Sequence, residues 1–162
     1  MRQQPNSKYC FVCGVDNQVG LSLHFFDNDT GEVRALYTVD SRYNGYPGVV
    51  HGGIVAAMLD EAGGRAAMVG NPDRFMMTAT LDIRYRKPVP VETPLLLIGR
   101  IIRDRGRTAQ AHSELRLPDG TVAAEAEMTL VAIPDELSQR GEALAALGWQ
   151  VYPYDGPIPP SE

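Results

Sequence analysis

From Pro47 to Val69 the chain reads P-G-V-V-H-G-G-I-V-A-A-M-L-D-E-A-G-G-R-A-A-M-V, apolar on nearly every side and interrupted only by Asp60, Glu61 and Arg65. That pattern predicts a buried helix, not an amphipathic surface one. Ahead of it, Leu21 to Phe26 and Val33 to Val39 are rich in strand formers and flank the turn cluster D-N-D-T-G, which predicts a hairpin. Behind it, Gly70-Asn71-Pro72-Asp73 is a break, and Met77, Ala79, Leu81, Ile83 and Tyr85 then alternate with Thr78, Thr80, Asp82, Arg84 and Arg86. Period-2 alternation predicts a strand buried on one face, with Thr78 turned away from the core. Leu95 to Arg103, Ala109 to Leu117 and Val122 to Val131 follow as strands, separated by D-R-G-R and by Asp119-Gly120.

Two strands, a long helix and four strands make an α+β arrangement in which an antiparallel sheet packs on one helix. A helix apolar all round also needs cover on more than one side, so the sheet is expected to curve around it. Pro134-Asp135 predicts a short helix through about Leu147, and the tail from Trp149 to Glu162, with four prolines, reads as extended. The expected organisation is one domain, with an N-terminal segment over 1–19, a core over 20–133, and the C-terminal helix and tail over 134–162.

Composition narrows the function. A chain of 162 residues, 44% hydrophobic and 22% charged, is that of a soluble globular protein. Its net charge of -5 argues against a general nucleic-acid binder. No apolar run is long enough for a membrane span, and M-R-Q-Q-P-N-S-K-Y has no signal-peptide core, so a cytoplasmic location is expected. Cys10-Phe-Val-Cys13 could be half a zinc site or a redox pair. Zinc needs about four ligands, and no second C-x-x-C or nearby His pair supplies them. Turn residues follow where a redox motif would want a helix, so the cysteines read as a reduced structural pair and no metal is expected.

The candidate chemistry lies in the helix. Glu61 and Arg65, spaced i,i+4, can pair on a solvated edge, whereas Asp60 has no such explanation, and an unpaired carboxylate in an apolar helix is costly unless used. Gly52 and Gly53 leave backbone N–H groups bare at the positive end of the helix dipole, where an oxyanion is favoured.

H-G-G with an Asp nine positions after the His, followed by M-T-A-T-L-D-I-R-Y-R-K-P-V-P, resembles the hot-dog-fold acyl-CoA thioesterases, in particular the phenylacetyl-CoA (PaaI-like) branch. The similarity runs from about Cys10 to Ile133. It implies a curved antiparallel sheet wrapped around one central helix, and hydrolysis of an acyl-CoA to free acid and coenzyme A. Gly52 N–H would be the oxyanion donor and Asp60 the general base or nucleophile, with His51 fixing the turn and Thr78 orienting water. Gly53 and the basic run Arg84, Arg86 and Lys87 are candidate substrate contacts, since coenzyme A carries phosphates that Arg binds well. No cofactor beyond the coenzyme A of the substrate is implied. Gly52 and Asp60 are eight residues apart, about 12 Å along a helix, too far for groups that must act on one carbonyl. A site shared across a two-fold axis is therefore expected, in a homodimer that could assemble further into a homotetramer. Two alternatives remain open: a hydratase or dehydratase of the same fold, and a non-catalytic acyl-CoA-binding protein.

Overall fold

The computed structural model describes residues 1–28, 30–134 and 145–161. Among these residues seven antiparallel strands form one sheet: β1 (Arg2–Gln3), β2 (Phe26–Asp27), β3 (Glu32–Thr38), β4 (Met76–Tyr85), β5 (Pro94–Asp104), β6 (Thr108–Arg116) and β7 (Val122–Ala132). Their order is β1-β2-β3-β5-β6-β7-β4, so among the described residues β4 is an edge strand paired with β7 alone. The one long helix among the described residues, α1 (Gly52–Ala66), lies against β3, β5, β6, β7 and β4. This is the expected hot-dog arrangement.

The face of the sheet under α1 mixes small residues with large ones. Ala109 and Ala111 of β6 and Ala124 and Ala126 of β7 are buried there, beside Leu95, Leu97, Leu115, Met128 and Leu130. Small side chains let a helix come close. At Gly99 of β5 an added Cβ would sit 2.1 Å from the Ala62 carbonyl oxygen, so helix and strand approach almost backbone to backbone. Val55, Met58, Leu59, Ala62 and Ala66 fill this interface. The helix is not covered all round, however: Ala57, Asp60 and Gly64, spaced along one face, are only half-buried.

Several expectations are corrected. The first predicted strand shrinks to Phe26–Asp27, because Leu21 to Phe25 pair with the N-terminal segment instead: Leu21 and Leu23 N–H donate to the Phe11 and Val12 carbonyls, and Gln4 N–H donates to Phe25. The side chain of buried Asn6 ties this segment down by donating to the Cys13 and Leu23 carbonyls. Strand β1 escaped pattern reading because two residues carry no periodicity. The predicted C-terminal helix falls largely on residues 135–144, outside the described residues, and only 145–147 are seen as helical. The tail is extended and docks on its own chain. Tyr154 stacks on His24 with ring centres 4.3 Å apart, the Tyr152 carbonyl accepts from Gln3, and the Pro160 carbonyl accepts from Arg34.

The close seat of α1 gives a direct test. Gly99→Ala forces helix and strand apart and should lower stability by about 1–3 kcal/mol, the usual range for overpacking, as measured by urea unfolding.

Candidate active site

The helix start is organised by its own cap. The loop from Asn44 to Val50 is pinned by Gly45 N–H to Val49 O, Val50 N–H to Val89 O and His51 N–H to Tyr43 O. His51 then serves as N-cap, its Nδ1 accepting from the Gly53 N–H at 2.9 Å. An accepting Nδ1 places the proton of the neutral ring on Nε2. The Gly53 N–H is thereby occupied, whereas no described residue accepts from the Gly52 N–H, which is exposed at the positive end of α1. Tyr85 of β4 donates its hydroxyl to the Gly52 carbonyl at 2.8 Å. Pattern reading placed Tyr85 on the inner face with Leu81 and Ile83 but gave no hint that it reaches the helix start.

Two turns further on, Asp60 Oδ1 accepts a 2.6 Å hydrogen bond from the Thr78 hydroxyl. This corrects two expectations, that Asp60 has no partner and that Thr78 points away from the helix. The cause is a β-bulge between Thr78 and Thr80, where Ala79 has no partner on β7. Below the bulge, Leu81 and Ile83 oppose Met128 and Ala126 on the helix side, and simple alternation would send Thr78 to the other face. The extra residue shifts the phase, so Thr78 opposes Leu130, which is buried on the helix side. Oδ2 of Asp60 has no partner among the described residues.

Glu61 and Arg65 do pair, Arg65 Nε to Glu61 Oε1 at 2.8 Å, but not on a solvated edge. Arg65 is 2% exposed, and desolvation pushes the Glu61 carboxyl up to about 7 against the pull of Arg65. Glu61 also meets Cys10 and Cys13, a contact that reading the C-x-x-C motif in its own stretch of sequence did not foresee. The basic run flanks Tyr85 at the end of β4. Arg86 is ion-paired with Glu125 of β7, Arg84 sits opposite Glu125 in register, and Arg84, Arg86 and Lys87 are exposed.

Residues 47–124 match the thioesterase superfamily profile. Over these residues the chain is similar to the thioesterase superfamily. Among curated relatives, acyl-coenzyme A thioesterase THEM4 of Rattus norvegicus is 29% identical over 106 residues, 65% of this chain and 45% of that protein. The chain thus spans about half the length of the curated relatives it matches. A crystal structure of a thioesterase superfamily protein superposes with a TM-score of 0.71 at 33% identity, covering 76% of this chain and 63% of that one. The E. coli PaaI protein from the phenylacetic acid degradation operon shares the fold, with a TM-score of 0.63 at 16% identity over 70% of this chain and 81% of its own.

The His51 cap should be worth about 0.5–2 kcal/mol, the range for N-cap removal. His51→Ala should lower the unfolding free energy by that amount in urea titrations, and His51→Asn, another good N-cap, should recover most of it.

Proposed function

We propose that this chain hydrolyses acyl-CoA thioesters in a site shared by two copies, with the Gly52 N–H of one and the Asp60 carboxylate of the other acting on the same carbonyl. The observation that carries this reading is the Thr78–Asp60 hydrogen bond. It fixes one carboxylate oxygen on the open strip of α1 and leaves the other free to take a proton from water or to attack the carbonyl itself. In the general-base form, water oxygen attacks the acyl carbon, Asp60 takes its proton, the oxyanion rests on the Gly52 N–H, and the thiolate leaves to be protonated. The acyl-CoA class is supported by the match to the thioesterase superfamily profile and by the activity for which the rat relative is named.

The two-copy arrangement follows from where β4 sits. One end of this edge strand touches Asp60 through Thr78 and the other touches Gly52 through Tyr85, about 12 Å away along the helix. An edge strand offers unpaired N–H and C=O groups to a second copy. Antiparallel pairing of two β4 edges about a two-fold midway along the strand sets the Asp60 end of each chain against the Gly52 end of the other.

Asp60→Asn should keep the fold and lower thiol release from acyl-CoA by at least about a hundredfold, the scale of a positioned acid/base group. Wild-type turnover by a folded Asp60→Asn dimer would refute the assignment. Thr78→Val should lower kcat by about tenfold to a hundredfold, the worth of a hydrogen bond to a charged group, while Thr78→Ser keeps most activity.

The shared site is tested by mixing Asp60→Asn with Gly52→Pro, a change that removes the N–H yet is tolerated at a first helical position. Circular dichroism must first show that both are folded. Each homodimer should be dead, and random exchange of equal amounts should return about a quarter of wild-type activity from the one intact site in each mixed dimer. No recovery despite subunit exchange would mean that each chain builds its own site.

A further inference from the structure

The C-x-x-C motif takes no part in the proposed hydrolysis, yet folding gives it partners that its own stretch of sequence does not contain. Cys10 to Gly14 form a tight turn in which the Gly14 N–H donates to the Cys10 carbonyl at 2.9 Å. A Cβ on Gly14 would lie 2.2 Å from that oxygen, so the turn requires glycine after the second cysteine. Glu61 of α1 closes on this turn. The two sulfurs and a Glu61 carboxylate oxygen all lie within 4.8 Å of one another. Behind Glu61 stands Arg65, its guanidinium 5.3 Å from the ring centre of Phe25 and 4.9 Å from that of Trp149. Glu61 and Arg65 are the charged groups that act on the two thiols.

The two cysteines are not equivalent. Cys10 is half-buried and its Sγ accepts from the Val12 N–H at 3.4 Å, whereas Cys13 is 2% exposed and its Sγ lies 3.6 Å from the Ser7 hydroxyl. The hydrogen bond that Cys13 gives to Cys10 holds the Cys10 thiol down at about 6, and the same bond together with burial pushes Cys13 up to about 12. The half-buried thiol is the one held down, and the fully buried thiol is the one pushed up. Such asymmetry suits a dithiol in which one sulfur attacks and the other resolves. A metal fits less well, because a divalent cation would compete with Arg65 for Glu61 and only three ligand groups converge among the described residues.

We propose that Cys10 and Cys13 form a redox-active dithiol that exchanges with low-molecular-weight disulfides, with Cys10 as the attacking sulfur, Cys13 as the resolving sulfur and Glu61 as acceptor of the Cys13 proton. In the first step the Cys10 thiolate attacks one sulfur of the small disulfide, breaking its S–S bond and releasing one thiolate. The Glu61 carboxylate then takes the Cys13 proton, and the Cys13 sulfur attacks Cys10, forming the intramolecular disulfide and expelling the second small thiolate. The dithiol loses two electrons and two protons, and the small disulfide becomes two thiols. The site is independent of the proposed hydrolysis, since neither sulfur touches Asp60 or Gly52 among the described contacts.

The test uses the intact chain and oxidised glutathione, read by mass spectrometry. Wild type should become lighter by two hydrogen atoms and return to its starting mass with reductant. Cys13→Ser should stop at the mixed disulfide, heavier by one bound glutathione, and Cys10→Ser should do neither. Alkylation of Cys10 by iodoacetamide should rise with pH about a midpoint near 6. Glu61→Gln should slow closure of the mixed disulfide by at least about tenfold while leaving its formation largely unchanged. Equal closure rates would remove Glu61 from the step. Wild-type protein whose cysteines stay reduced, or react only after denaturation, would overturn the proposal. So would one zinc per chain in the purified protein that blocks oxidation. The wild-type measurements stand even if a variant fails to fold.

Discussion

Helix α1 lies so close to strand β5 that the Ala62 carbonyl occupies the space a side chain on Gly99 would need. Such closeness is possible because β6 and β7 place alanines beneath the helix, and it fixes the height and rotation of α1 together. With Val55, Met58, Leu59 and Ala62 turned into the sheet, Ala57, Asp60 and Gly64 are left along a strip beside edge strand β4. The position of the candidate carboxylate is thus set by packing on the opposite side of the helix from the carboxylate itself.

Much of this was legible in the residues. The all-apolar run with its H-G-G start marked the central helix, and the alternation after Asn71 marked four strands within a residue or two of their observed ends. Long periodic segments carry strong signals because burial imposes the period of the element on the sequence. What was not legible depended on contacts between distant segments. Leu21 to Phe25 have strand composition but pair with the N-terminal segment, a choice made by partners and not by propensity. Thr78 was assigned to the wrong face because one bulged residue leaves no compositional mark.

The adjacent acids of α1 show how far a helix can separate two neighbours. Successive residues point about 100° apart around the axis, so Asp60 turns toward the open strip and Thr78 while Glu61 turns toward the N-terminal segment. Arg65, one turn beyond Glu61, bonds the Pro5 carbonyl and packs on Trp149 of the tail. One buried cation therefore joins the helix to both ends of the chain. The i,i+4 spacing of Glu61 and Arg65 disclosed their pairing; their burial became visible only when the N-terminal segment and the tail were in place.

The bulge at Ala79 makes the geometry around Asp60 depend on residue count as much as on residue identity. A substitution at Ala79 leaves Thr78 facing the helix, but loss of a single residue there would restore strict alternation and turn the hydroxyl to the far face while every surviving side chain stayed the same. In evolutionary terms the site is guarded against deletion more sharply than against point change. Two chains of this fold could match at nearly every aligned position and still differ in whether the threonine and the aspartate ever meet.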